Sequence, residues 1–554
     1  MRKMSRGAAL DISPGRKPWA GFRQSASPGG TTDNSAALSG LAHQGNAHPG
    51  LTPRAKICCR SAAGQLAREP QASRLNLIFC LLCCFLSACS VGPKYKTPPA
   101  PVPPAFKEPP PDNFKETDQW KPAAPRDDTL RGNWWEMFGD TQLNDLEAQV
   151  NTSNQNIAAA EAQFRAARAA VQAARSGLFP TLTLNAGTTR SGGGGNRAVV
   201  GAGNVVRASS GTFYTFPLDL SYEVDVWGRV RRTMEASAAT AQASAADLET
   251  IRLSTHAELA LDYFELRGLD EEQRLFEQTV AGFEEALQLT TNRFNQGVVS
   301  EVDVDQARTQ LETAHAQAID LDVQRAQFEH AIAIFTGKPP AELTLARGAF
   351  TGEPPVIPVA LPSELLERRP DVASAERRVA FANAEIGLAR AAFFPTISLT
   401  AAGGFSSSMI SSLFSWPSRF WSIGPAFSEM VFDSGRRGAA VREAEASYDA
   451  TVAIYRQDVL TAFQDVEDNL AALRILSEEA RQQDIADESA QRSLDLTLVR
   501  YRGGITIYTE VITAQNALLA NQRAAIGIRT RRMTASVLLV KALGGGWDRS
   551  QLPQ

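Results

Sequence analysis

The sequence predicts a helix-dominated α+β fold in which one helix-strand-strand-helix-helix unit is used twice. Three observations lead there: two halves that match at fixed offsets, two very long proline-free segments, and short stretches in which polar and apolar residues alternate. Ala174-Arg175 and Phe179-Pro180-Thr181 recur 215 residues later as Ala389-Arg390 and Phe394-Pro395-Thr396, and the same offset pairs Ala160-Glu161 with Ala375-Glu376. Gly228-Arg229 recurs at an offset of 207 as Gly435-Arg436, which also pairs Arg293-Phe294 with Arg500-Tyr501, Gly297 with Gly504, Val304 with Val511 and Gly337 with Gly544. The step from 215 to 207 means that the first half has eight extra residues in one connector. Such gap-free pairing marks a duplicated unit. The two repeats span 131–350 and 351–547, followed by a tail, 548–554.

Within each repeat the local patterns assign the elements. Thr181-Leu-Thr-Leu184, Thr396-Ile-Ser-Leu399 and Phe216–Tyr222 alternate with period two and read as strands. Trp421–Phe432 is the weakest of the four, because Pro425 interrupts it. Gly192–Gly195 and Ser406–Ser412 read as the loops between paired strands. The glycine run is not followed by Gly-Lys-Ser/Thr, so it is a loop and not a phosphate cradle. From Arg229 to Arg293 there is no proline, and a continuous helix there would run about 95 Å. Arg436 to Arg500 matches it, and its Val459, Phe463, Val466, Leu470 and Leu473 follow the 4-3-4-3 spacing of a coiled-coil seam. Alanines at 236, 238, 239, 241, 243, 245 and 246 favour helix and allow close approach. Helices this long must line a tube or a rod. Four strands leave two open edges, whereas closed transmembrane barrels have at least about eight. Three chains supply twelve, so a trimer is expected.

The amino-terminal region carries a separate message. All six cysteines lie between Cys58 and Cys89, and the rest of the chain has none, as suits export to an oxidising compartment. Residues 1–70, rich in Gly, Ser, Pro and Arg, read as a disordered or non-native extension, with the true start nearer Leu66 or Leu75. Residues 71–88 combine a basic flank, an apolar run too short to span a membrane as a helix, and small residues before Cys89, which is the pattern of a signal peptide. Leu86-Ser-Ala-Cys89 resembles the bacterial lipobox, which implies cleavage before Cys89 and acylation of its thiol, with Ser90 permitting transfer to the outer membrane. The proline-dense stretch within 89–130 favours extended polyproline structure and reads as a semi-rigid tether.

Taken in order, several stretches resemble the TolC-like outer-membrane efflux factors, in their lipoprotein (OprM/NodT-like) branch. They are Cys89-Ser-Val-Gly-Pro-Lys-Tyr95, Trp134-Trp-Glu-Met-Phe138 with Asp140 and Leu143, Glu223-Val-Asp-Val-Trp-Gly-Arg229, Arg368-Arg-Pro-Asp371, both Phe-Pro-Thr sites, and Ala542-Leu-Gly-Gly-Gly-Trp547. The resemblance covers residues 89–547. It implies a homotrimer in which a twelve-stranded outer-membrane β-barrel continues into a periplasmic α-helical coiled-coil tunnel, with an equatorial domain near Val150 and Gly352. The implied partners are a periplasmic adaptor (membrane fusion protein), an inner-membrane RND-type pump and outer-membrane lipid, and conduction is passive. Adaptor docking falls on the helix-hairpin turns at Arg293, Gly297, Val298 and Ser300, and at Gly503, Gly504, Ile505 and Thr506. The gate falls on Tyr501 and Arg502 and on the following helix. There the family's bulky apolar residue and aspartate are replaced by Thr509 and Thr513, leaving a weakly charged gate unless Glu510 also reaches the lumen.

Catalytic and cofactor chemistry is not indicated. His256, His315 and His330 each stand alone on a helix without the ligand spacing of zinc sites. No Gly-x-Ser-x-Gly is present, and the helical carboxylates interleave with Arg and Gln as on solvated faces. A net charge of −4 gives no reason to expect a nucleic-acid partner. Two other non-enzymatic functions compete with the efflux duct: a channel for type I protein secretion, and a coiled-coil envelope lipoprotein acting as a spacer. The spacer leaves the alternating strands unexplained.

Overall fold

The computed structural model describes residues 91–108, 132–192, 211–350, 352–355, 357, 367–546 and 552, with backbone alone at 199–201 and 204–206. Residues 1–70, the signal segment 71–88, Cys89, most of the tail and the tether beyond 108 lie outside the described residues. In chain order the elements are α1 (Thr141–Ser153), α2 (Gln155–Ser176), β1 (Thr181–Leu184), β2 (Gly187–Ser191), β3 (Val199–Gly201), β4 (Asn204–Val206), β5 (Gly211–Glu223), α3 (Arg229–Asn295) and α4 (Glu301–Phe335). The second half supplies α5 (Pro370–Ala391), β6 (Thr396–Ser407), β7 (Arg419–Ser428), α6 (Arg436–Arg502) and α7 (Tyr508–Ala542).

The duplicated helices match in length. α2 and α5 each have 22 residues, α3 and α6 each have 67, and α4 and α7 each have 35. At 1.5 Å per residue the 67-residue helices run about 100 Å. The eight-residue difference sits where the offsets placed it, in the connector between the strands of the first half, which also holds the extra β3–β4 hairpin. Each repeat closes on itself by the same contact. Asn154, the N-cap of α2, donates from Nδ2 to the carbonyl of Phe335 at the end of α4 (3.0 Å), and Arg369, the N-cap of α5, donates from Nη1 to the carbonyl of Ala542 at the end of α7 (3.3 Å). Gly337 and Gly544, both at positive φ, approach the carbonyls of Ser153 and Arg368 so closely that a Cβ would overlap them.

Apart from the β3–β4 hairpin, the strands form one antiparallel sheet in the order β1-β5-β6-β7, with β2 also paired to β5. β1 and β2 keep a single register against β5 and so act as one strand interrupted at Asn185-Ala186. The fourth strand ends at Ser428 and not at Phe432. Past it, Asp433 accepts from the backbone N–H of Gly435 (2.9 Å) and Arg437 (3.1 Å), and this turn launches α6 instead of prolonging the strand. Asp225 serves α3 likewise, accepting from Val230 and Arg231. Beside that turn, Trp227 donates from Nε1 to Pro395 O (2.8 Å) and stacks on Phe394, which ties the Trp-Gly-Arg stretch of one repeat to the Phe-Pro-Thr turn of the other.

The main core lies where α1, α3, α5, α6 and α7 meet near the middle of the long helices. Val459, Phe463, Val466 and Leu470 are buried there, as the heptad spacing required. Five of the seven alanines between 236 and 246 are buried on α3, which packs closely on α5. Residues 91–108 do not stand free as a tether. Val91 N–H donates to Trp227 O (3.1 Å), Tyr95 and Thr97 donate to Glu376, Arg456 donates to Pro99 O, and the N–H groups of Lys107 and Glu108 bind the Glu467 carboxylate. The segment is a strap from the sheet-helix junction down the flank of α6.

Candidate functional site

The ends of the long helices farthest from the sheet carry the candidate tip. α3 closes on Gly297 (φ 73°), with Gly297 N–H on Phe294 O and Val298 N–H on Arg293 O; α6 closes on Gly504 (φ 74°), with Gly504 N–H on Tyr501 O and Ile505 N–H on Arg500 O. Glycine is needed at both because a side chain is strained at positive φ. The second helix of each hairpin starts differently. Ser300 caps α4 through a capping box with Asp303, whereas the N-cap of α7 is Ile507, and the Thr506 hydroxyl is buried without a partner. Val298, Ile505 and Ile507 are exposed at the turns, as are Ser300, Gly503 and Gly504.

The structure joins two residues that the sequence placed in separate roles. Arg293 donates from Nη1 to Tyr501 O at 2.7 Å, and its guanidinium lies 4.5 Å from the centre of the Tyr501 ring. That carbonyl, which also accepts from Gly504 N–H, belongs to the last turn of α6, where the helix dipole favours a cation. Tyr501, expected at the gate, is only 2% exposed and packs with Tyr508 and Val511 inside the hairpin pair. It is part of the clamp between repeats and is buried in the single chain. Arg502, Thr509, Glu510 and Thr513 are exposed. The two threonine hydroxyls face protein acceptors: Thr513 donates to Thr509 O (2.9 Å) and Thr509 to Gln306 Oε1 (3.5 Å). Glu510 is therefore the exposed acidic group of this stretch, and Arg502 its exposed cation.

At the other end, the sheet has two chemically distinct faces. Cross-strand partners share a face, so the register groups Leu182 and Leu184 with Leu218, Leu220 and Tyr222, then with Ile397 and Leu399, then with Trp421, Ile423 and Phe427. The opposite face carries Thr181, Thr183, Asp219, Ser221, Ser398, Thr400, Ser422 and Ser428; the exceptions, Phe213 and Phe420 on this face and Arg190 and Arg419 on the apolar one, lie at the rim remote from the helices. Leu182, Leu184, Trp421, Ile423 and Phe427 are all largely exposed in the single chain. An apolar exterior with a polar interior is the pattern of a transmembrane barrel wall.

Midway along α3, His256 is not a lone surface group. Its Nδ1 lies 2.6 Å from Glu147 Oε2 and its Nε2 lies 3.1 Å from Asn151 Oδ1, while Trp135 stacks on its ring. Burial pushes the Glu147 carboxyl well above the usual carboxylate range; burial, with the nearby Arg252 charge, holds the imidazole down at about 4. Burial therefore disfavours the charged form of both partners. Trp134 packs edge-on against Trp135 and Phe138, and all three are buried, which gives the Trp-Trp-Glu-Met-Phe stretch a packing role; Asp140 caps α1 while accepting from Tyr263 (2.7 Å). Among the described residues no cluster of His, Cys, Asp and Glu has the makings of a metal site.

Comparison with known proteins agrees with this geometry. The outer membrane efflux protein family model matches twice, over residues 147–338 and 361–545, once per repeat. The toluene efflux pump outer membrane protein TtgF of Pseudomonas putida is 32% identical over 465 residues, covering 84% of this chain and 95% of the relative. The outer membrane protein OprJ of Pseudomonas aeruginosa is 33% identical over 483 residues, covering 85% and 96%. Among solved structures, the CmeC outer membrane channel of Campylobacter jejuni superposes with a TM-score of 0.75 at 25% identity, over 84% of this chain and 96% of that one. With its twofold repeat, two-faced sheet and long paired helices, this chain belongs to the outer membrane efflux protein family.

Proposed function

We propose that three copies of this chain form the outer-membrane exit duct of a tripartite efflux pump. The observation that carries the proposal is the sheet: apolar on one face, polar on the other, open at β1/β2 and at β7, and continuous with helices about 100 Å long. Pairing the open edge of β7 with the β1/β2 edge of the next copy closes twelve strands in three chains, removes every unpaired edge, and turns the apolar face to lipid. The helices then continue the lumen through the periplasm. The turns at Gly297 and Gly504 dock a periplasmic adaptor that links the duct to an inner-membrane RND-type pump, and Glu510 with Thr509 and Thr513 lines the constriction. The chain conducts passively. Purified protein in detergent should behave as about three protomers and give cation-conducting channels in planar bilayers. A monodisperse monomer that retains full β content contradicts the proposal.

Acylation at Cys89 belongs to the same proposal. Val91 is held at the sheet-helix junction, and two residues of chain span at most about 7 Å, so a lipid on Cys89 would reach the membrane surface there. Mass spectrometry of the mature protein should show a cleaved amino terminus at Cys89 carrying acyl chains; an unmodified thiol would remove the anchor.

A further inference from the structure

The connector between β6 and β7, residues 408–418, has the wrong chemistry for a loop in water. Ser408-Met-Ile-Ser-Ser-Leu-Phe-Ser-Trp-Pro-Ser418 contains no charged residue, and it exposes Met409 (62%), Ile410 (69%), Phe414 (66%) and Trp416 (75%). Its polar groups meanwhile bind one another. Ser412 O accepts from the hydroxyls of Ser415 and Ser418 (2.7 Å each), the Ser407 and Ser412 hydroxyls pair at 2.8 Å, Met409 N–H donates to Ser407 Oγ, and Met409 O accepts from Ser412. A peptide segment tolerates a low-dielectric environment only when its backbone is satisfied internally. Here the serine hydroxyls and two short 3-10 turns pair the N–H groups of Met409, Ser412, Leu413, Ser415 and Ser418 internally, in a loop without other regular structure.

The connector also leans to one side. The Phe414 ring meets Phe216 (5.6 Å) and Phe405 (5.4 Å) edge-on, and these two are cross-strand partners on the apolar face of the sheet. Arg419, the first residue of β7, pairs with Phe405 in register, so it belongs to that same face; its guanidinium covers Trp416, and its Nε donates to Trp416 O (3.1 Å). The chain therefore folds back over the outside of the sheet at the rim remote from the helices. The matching connector of the first repeat, by contrast, is glycine-rich and carries Arg197 and Arg207.

We propose that residues 408–418 are an interfacial anchor that lies against the outer side of the barrel rim and inserts Met409, Ile410 and Trp416 among the acyl chains of the outer leaflet, with Arg419 at the level of the lipid phosphates. An aromatic ring with a cation over its face suits that boundary, where one side is apolar and the other is wet. The inference rests on the barrel reading above, since it takes the apolar face to be the lipid face.

The test reconstitutes the full trimer in vesicles of phosphatidylethanolamine and phosphatidylglycerol and places one nitroxide at a time by Ile410→Cys, Met409→Cys, Ile423→Cys or Ile319→Cys. The chain has no cysteine after Cys89 to compete for label. Oxygen, which partitions into lipid, and a water-soluble nickel chelate then report the surroundings of each label. Labels at 409 and 410 should match Ile423→Cys on the sheet face, with oxygen accessibility several-fold above that of nickel. Adding Phe414→Ala should release the connector and raise nickel accessibility at 410 several-fold. If 423 is lipid-exposed while 409 and 410 behave like the helical site 319, the connector is a water-facing loop and this inference falls alone. Labels at 409 and 410 shielded from both reagents would mean that a neighbouring copy covers the connector, which also overturns it. If 423 is itself open to nickel, the barrel reading fails first.

Discussion

Arg293→Ala should loosen the helical tip by about 2 kcal/mol. A charged donor to a carbonyl contributes about 1.5–3 kcal/mol, and a guanidinium over an aromatic ring about 0.5–1 where water has access. Arg293 makes both contacts to Tyr501, at 2.7 Å to the carbonyl and 4.5 Å to the ring centre, but it is only half-buried, so the lower end of each range applies. Two kcal/mol is about a thirty-fold shift in an equilibrium. If tip separation opens the duct, single-channel recordings in planar bilayers should show a closed state depopulated by that order. Amide exchange should quicken at the ends of α3 and α6 and stay unchanged around Val459–Leu470. Arg293→Lys keeps the charge without the planar fork and should fall between wild type and Ala. An open probability within about twofold of wild type, with tip exchange unaltered, would refute the clamp.

Gly337→Ala and Gly544→Ala should each destabilise the trimer by upwards of about 2 kcal/mol, since both combine positive φ with overlap onto a backbone carbonyl; equal thermal stability of variant and wild type would contradict this. The Glu147–His256 pair predicts a pH effect. A raised carboxyl loses stability as pH rises above about 4.5, and a lowered imidazole loses it as pH falls from about 6.5 towards 4. The two trends oppose each other between 4.5 and 6.5, so Glu147→Gln, which leaves only the imidazole, should make stability fall more steeply than in wild type as pH drops from about 6.5 towards 4; thermal unfolding temperatures that stay parallel to wild type across that range would contradict this. At the constriction, Thr513→Asp should create or sharpen a block by trivalent cations added from the periplasmic side, and Glu510→Gln should remove whatever block the wild type shows. Normal trimers of Thr513→Asp with unchanged cation sensitivity would place Thr513 away from the lumen.

Much of this architecture was legible because its signals are local or repeated. Proline-free length, heptad spacing and the two fixed offsets place α3 and α6 within a few residues of their observed ends. The two tip turns were legible through Gly297 and Gly504, because a chain reversal at positive φ leaves its mark on residue type. Contacts between distant residues left no such mark. Glu147 and His256 are 109 positions apart, so ligand spacing along one helix could not reveal them. Tyr501 carries no sequence sign that Arg293 of the other repeat would cover it. The proline-dense strap reads as extended from composition alone, but its docking depends on Glu376 and Glu467, hundreds of residues away. The fourth strand was overextended because the cap formed by Asp433 competes with strand pairing, a choice that alternation does not record.

The central claim is that this chain is the outer-membrane exit of an efflux pump. The most direct measurement is the cellular accumulation of a fluorescent efflux substrate in the native host after deletion of this gene alone, with adaptor and pump intact. Accumulation should rise to the level seen when the pump itself is poisoned, and return to wild type when the chain is restored. Accumulation that stays at the wild-type level in the deletion strain, accompanied only by a weakened envelope, would contradict the duct and favour a structural spacer.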